Sequence, residues 1–154
     1  MRITKVTTKG GDEGQTSLGN GQRISKNHLR VHAIGVVDKL NSVIGWTRSV
    51  AKNDIKDDLE KIQQDLFNLG GELAVPGSDL KLLQITRLEW LETESEKMNK
   101  ALPPLKEFIL PGGSELSSRL HFARTECRDT ERTLVSLGED RKSTRLNSSH
   151  TSIS

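Results

Sequence analysis

Three breaker clusters divide most of this chain into stretches that can only be helices. Pro76-Gly77, Pro103-Pro104 and Pro111-Gly112-Gly113 each halt the chain, since proline cannot continue a helix and glycine tolerates the turn that follows. Between them, apolar residues recur at three- and four-residue steps, the period of one helical face. The first stretch runs from about Leu29 to Ala51 with Val31, Ile34, Val37, Leu40, Ile44 and Val50. The second follows Asn53 or Asp54 as a cap and carries Ile55, Leu59, Ile62, Leu66, Leu69 and Leu73. In the third, Thr86-x-x-Glu89 has the spacing of a capping box, and Leu88, Leu91, Met98 and Leu102 follow it. The fourth opens on Ser114 as cap and carries Leu116, Leu120, Ala123, Cys127, Leu134 and Leu137 to Gly138. No alternating strand of useful length and no internal repeat is present. The spacing predicts an all-α, antiparallel helix bundle. Apolar residues spread widely around the first helix, so it is expected to have two neighbours.

Composition narrows the class. Of 154 residues only 32% are hydrophobic and 3% aromatic, enough for a thin core of Leu, Ile, Val and Ala. Thin cores favour helices that finish burying their faces on other subunits. A single cysteine, Cys127, excludes an intrachain disulfide framework and fits a reducing compartment. No stretch reaches the roughly 18 apolar residues of a membrane helix, and the start lacks the apolar run of a secretory signal. The expectation is therefore a cytoplasmic protein with no membrane partner. Net charge is +2, but without Arg141, Lys142 and Arg145 the acids are one ahead. With no basic stripe and no interleaved aromatics, nucleic acid is not an expected partner. The segment RKSTRLNSSHTSIS, 141–154, is rich in hydroxyls with only Leu146 and Ile153 apolar. It reads as disordered, or as foreign sequence joined to a truncated protein.

Two stretches could carry chemistry. TTKGGDEGQTSLGNGQRISK, within 7–26, has five glycines whose backbone could approach an anion closely. Thr7, Thr8, Thr16 and Ser17 add hydroxyls, and Lys9 and Lys26 add positive charge. These are ingredients of a phosphate cradle, although neither a P-loop nor a dinucleotide fingerprint is present. A solvated, flexible arm fits the same composition, and composition alone favours it. On the fourth helix, Arg124, Arg128 and Glu131 share one face, with Arg132 on its flank. Paired guanidiniums suit a polyphosphate, and an exposed ladder of ion pairs explains the spacing equally well. Phe108 precedes a rigid turn in FILPGG, where core packing is the commoner role for such a residue. His28, His32 and His121 lack metal-ligand spacing and read as surface or packing residues.

Five blocks, in order, resemble the PduO-type corrinoid adenosyltransferases, also called ATP:cob(I)alamin adenosyltransferases. They are TKGGDEGQTSL (Thr8–Leu18), GQRISK (Gly21–Lys26), VDKLNSVIG (Val37–Gly45), FILPGG (Phe108–Gly113) and LHFARTECRDTER (Leu120–Arg132). The likeness covers about residues 3–138. It implies a helix bundle over 1–140, of five helices in the family, assembled as a homotrimer with active sites between subunits. Nothing after Gly138 matches the family's last helix, so this chain is expected to lack it.

The resemblance also implies roles. ATP would be held by Thr8, Lys9, Gly10, Gly11, Asp12, Glu13, Gly14, Gln15, Thr16, Ser17 and Lys26 on the arm. Arg128 and Glu131, with Arg132 close by, would engage the same nucleotide. Arg124 would pair with Asp38 of the neighbouring subunit, and Phe108 would occupy the lower face of the corrinoid. The implied reaction moves the 5′-deoxyadenosyl group of ATP to Co(I), with Mg²⁺ on the phosphates and no metal ligands from the protein. Implied partners are a reductase and an adenosylcobalamin-dependent enzyme. The chain departs from the family pattern at Lys39, where glutamate is usual, and at Asp129, where a basic residue is common. Those departures and the unmatched last helix keep a second reading open, that of a catalytically weak ATP- or adenosylcobalamin-binding delivery protein.

Overall fold

A computed structural model describes the backbone of residues 2–151 and the side chains of residues 2–142. Four helices make up most of it: α1 (Leu29–Arg48), α2 (Asn53–Ala74), α3 (Ile85–Lys100) and α4 (Glu115–Thr151). The helical reading therefore holds, with one addition. Ahead of α1, β1 (Gln15–Ser17) and β2 (Arg23–Ser25) pair antiparallel, Thr16 opposite Ile24 and Ser17 opposite Arg23. Three-residue strands give no alternating run long enough to stand out in a sequence.

Pair contacts fix the directions of the helices. Arg48 meets Glu60 at 2.8 Å, Asn41 donates to Gln63 O at 3.3 Å, and Arg30 donates to Leu73 O at 3.1 Å. The partner number rises as the α1 number falls, so α1 and α2 are antiparallel. Thr47 Oγ1 lies 3.4 Å from Arg119 O and Thr130 Oγ1 lies 3.2 Å from Val36 O, so α4 also runs against α1. Thus α1 sits between α2 and α4, which accounts for its widely spread apolar residues. The core is Leu40, Val43, Ile44, Ala51, Leu59 and Ala123, with Ile62, Leu66, Leu116 and Leu120 packed on it. Gly45 admits the Gln63 side chain, whose amide donates to Asn41 O at 3.2 Å.

Helix ends follow local chemistry, with two corrections. His28 caps α1 by accepting from Arg30 N at 3.0 Å, and Ser114 Oγ caps α4 by accepting from Ser117 N at 3.1 Å. The capping box expected at Thr86 does not form, because the cap position falls two residues earlier, at Gln84, and α3 begins at Ile85. Asn53, read as a possible cap of α2, is instead its first residue, after Lys52. At the other end α4 does not stop at Gly138; the backbone stays helical to Thr151. That differs from a disordered segment over 141–151. Extending a formed helix adds one hydrogen bond per residue fixed, so it can continue without an apolar stripe. Residues 152–154 lie outside the described residues.

Helix α3 is the loosest element, with no buried residue and Leu88, Leu91 and Met98 exposed. An Arg87–Asp65 ion pair at 3.0 Å ties it to α2, and the Arg87 guanidinium stacks 4.8 Å from the Trp90 ring. Between α3 and the other helices lies an apolar groove of about 820 Å³, lined in part by Leu59, Leu66, Leu88, Leu91 and Leu120. Among the described residues, no helix is long and apolar enough to cross a membrane.

Candidate functional site

The glycine-rich segment is neither a free arm nor a P-loop; it is a turn folded onto a hairpin. Asp12 N donates to Lys9 O at 3.3 Å, and Gly14 N donates to Gly11 O at 3.1 Å. Lys26 N reaches back to Gly14 O at 2.9 Å and closes the segment. Lys9 has φ 59 and Gly14 has φ 83, left-handed values that bend the chain into this turn. A Cβ on Gly11 would lie 2.6 Å from Lys26 Nζ, so the ammonium sits directly over the turn. A cleft of about 390 Å³ opens beside it, lined by Lys9, Gly10, Asp12, Glu13, Gln15 and Arg23.

The hairpin is fastened to the bundle at its tip. Gly19 N donates to Ala74 O at 2.7 Å, where an added Cβ would stand 3.1 Å from the same oxygen. Leu18 is buried, and Arg30, also buried, holds Leu73 O beside it. Burial, and then the charge of Arg141, lower the Arg30 pKa. The flexible-arm alternative is thereby set aside.

On α4 the expected side chains are exposed: Arg124, Arg128, Glu131 and Arg132 all face solvent. Arg132 pairs with Asp129 at 3.3 Å, so the acid that departs from the family pattern takes up the flanking arginine. Cys127 is exposed as well, against the expectation of a core position, because it faces the open groove beside α3. Partial burial in that groove, and then the charge of Glu131, raise its thiol pKa, and Arg128 opposes them. Lys39, the other departure, meets Glu126 across the α1–α4 seam at 3.3 Å.

Phe108 is fully exposed on the stretch before α4 rather than packed in the core. It shares a pocket of about 510 Å³ with Leu105, Ile109, His121 and Arg124. Asp38 is exposed on α1, where its carbonyl accepts from Ser42 at 3.0 Å. The structure thus brings Lys9 to Gln15 together with Lys26, and Phe108 with Arg124, while Arg128 and Glu131 are neighbours only through their spacing along α4. Among the described residues, no side chain of α4 lines the cleft by the hairpin. Arg23 lines that cleft and was missed as a site residue, since a lone arginine inside GQRISK has no spacing signal of its own.

A family model described as cobalamin adenosyltransferase matches residues 6–152. The chain belongs to the cobalamin adenosyltransferase family. A cobalamin adenosyltransferase of Cupriavidus metallidurans is 50% identical over 141 residues, covering 89% of this chain and 74% of that protein. A corrinoid adenosyltransferase of Bacillus subtilis is 42% identical over 140 residues, covering 86% and 72%. A PduO-type corrinoid adenosyltransferase of Citrobacter freundii is 41% identical over 140 residues, 42% of its own length. Among solved structures, a variant PduO-type ATP:corrinoid adenosyltransferase from Lactobacillus reuteri, complexed with cobalamin and ATP, matches with a TM-score of 0.83. It is 42% identical, and the match covers 88% of this chain and 78% of that one. The fold of this cobalamin adenosyltransferase family member is thus shared with a protein complexed with cobalamin and ATP.

Proposed function

We propose that this chain transfers the 5′-deoxyadenosyl group of ATP to the Co(I) of a reduced corrinoid and releases tripolyphosphate. The observation that carries the proposal is the match of nearly the whole chain, at 42% identity, to an enzyme complexed with cobalamin and ATP. Co(I) is already a strong nucleophile, so no residue need remove a proton. The protein's tasks are to hold the 5′ carbon in line with the metal and to stabilise the departing polyanion.

The turn at Thr8–Ser17 suits the second task. The hydroxyls of Thr8, Thr16 and Ser17 and the Lys26 ammonium over Gly11 offer donors and positive charge, while the amides of Asp12 and Gly14 brace the turn by bonding within it. Mg²⁺ on the phosphates would neutralise further charge. Its ligands would be phosphate oxygens and water, since among the described residues no group of three or more His, Cys, Asp or Glu could hold a metal ion. Arg128 and Glu131, with Arg132 beside them, complete the nucleotide site from α4 of an adjacent subunit in a homotrimer. Among the described residues the hairpin cleft is lined by no side chain of α4 of its own protomer, which supports that assembly. Arg124 pairs across the interface with Asp38, and the exposure of both side chains fits this role. Phe108, uncovered at the mouth of its pocket, displaces the lower ligand of the corrinoid and so eases reduction of Co(II).

We further assign the chain to the cytoplasm, supplied with electrons by a reductase and passing its product to an adenosylcobalamin-dependent enzyme. Anaerobic incubation with ATP and cob(I)alamin should give a light-sensitive alkylcobalamin and tripolyphosphate in equal amounts. Formation of ADP, or of no product, would reject the reaction. Tight binding of both substrates without turnover would select the delivery reading instead.

A further inference from the structure

We infer that Arg23 is a positioning residue that clips the glycine-rich turn into its anion-receiving shape before any ligand arrives. Arg23 stands opposite Ser17 in the hairpin, so the two side chains emerge on the same face. From there its guanidinium spans two places. Nη1 donates to Ser17 Oγ at 3.0 Å, and Nη2 donates to the carbonyl of Gly10 at 2.8 Å, thirteen residues back along the chain. The planar fork of arginine can make both bonds at once, whereas a lysine ammonium on its flexible stem reaches one such acceptor well.

The clipped residue adjoins the strained one. Lys9 holds φ 59 immediately before Gly10. A left-handed conformation is unfavourable for a side-chain-bearing residue and persists where its surroundings over-determine it. The bond to Gly10 O supplies that constraint from outside the turn, together with the turn's own bond from Asp12 N to Lys9 O. Arg23 uses these donors on a neutral hydroxyl and a carbonyl although carboxylates of Asp12 and Glu13 line the same cleft. A cation spent on the backbone in this way shapes the loop. Its effect on a polyanion is then exerted through the turn it holds in place.

Two readouts on the full-length chain separate this role from others. Without nucleotide, trypsin should cut the Lys9–Gly10 bond about ten-fold faster in Arg23→Ala than in the unsubstituted chain, the effect of losing a pair of charge-assisted hydrogen bonds at the surface. Cleavage within α1 and α4 should be unchanged. With nucleotide, the KM for ATP should rise about ten-fold while kcat at saturating ATP stays within about two-fold, since the loop still closes once filled. Arg23→Lys, which keeps the charge, should loosen the turn nearly as much; it also serves if the alanine variant folds poorly. An unchanged cleavage rate in both variants overturns the inference. Weaker ATP binding by Arg23→Ala that Arg23→Lys fully restores would make Arg23 a phosphate ligand and overturns it too. Only the kinetic readout rests on the function proposed above. A turn that loosens in a protein with no affinity for ATP would sink that function and leave the clip standing.

Discussion

Replacing Lys39 with glutamate sets a second carboxylate against Glu126. The native pair lies at 3.3 Å, with 58% of the Lys39 side chain exposed and 13% of Glu126. Two like charges at about 4 Å repel by about 1 kcal/mol in water and about 4 kcal/mol at an effective dielectric constant near 20. More than half of residue 39 is in solvent, so the lower figure governs. Adding about 0.5 kcal/mol for the attraction lost gives a destabilisation of about 1.5 kcal/mol. For a chain of this length that lowers Tm by about 3–6 °C. Thermal melts at one fixed protein concentration should show the drop, and salt near 1 M, with a Debye length of about 3 Å, should shrink it. Adding Glu126→Gln to the Lys39→Glu background should recover about 1 kcal/mol. Reversing both residues together, Lys39→Glu with Glu126→Lys, should return Tm close to its starting value. A neutral Lys39→Glu, or no recovery from Glu126→Gln, would show that the α1–α4 seam is not held by this pair.

Gly11→Ala should raise the KM for ATP about ten-fold with little change in Tm, because its Cβ would displace the Lys26 ammonium while touching nothing in the core; steady-state kinetics and a melt check it. Asp38→Asn should impair corrinoid handling more than ATP binding, and equal loss of both affinities in titrations would misplace the proposed pairing. Cys127 should alkylate with a pH midpoint above that of an unperturbed thiol, since burial and Glu131 favour its protonated form. Glu131→Gln should lower that midpoint and Arg128→Ala should raise it, as read from iodoacetamide rates across pH.

How far the sequence could be read depended on what each residue packs against. The stripes of α1, α2 and α4 were legible because they bury against one another, so period and contact agree at Leu40, Leu59 and Ala123. The stripe of α3 was equally legible, yet Leu88 and Leu91 border a groove, because a period reports a face and not what covers it. Cys127 misled for the same reason. Thr86-x-x-Glu89 matched a cap by spacing alone, and spacing does not fix where the first helical turn begins. The blocks of motif marked out the turn, Arg128 and Phe108. The hairpin register and the reach of Arg23 to Gly10 are products of folding that no local pattern encodes.

The fastening of the hairpin tip has a consequence for the order in which the molecule assembles. The last carbonyls of a helix have no partner within it. In α2 two of these, those of Leu73 and Ala74, are satisfied by Arg30 and Gly19, residues made long before the helix itself. The final turn of α2 and the leading hairpin should therefore ravel and unravel as one cooperative unit, although some fifty residues of chain separate them. A fluorophore at Ser78 would then register events at Gly19.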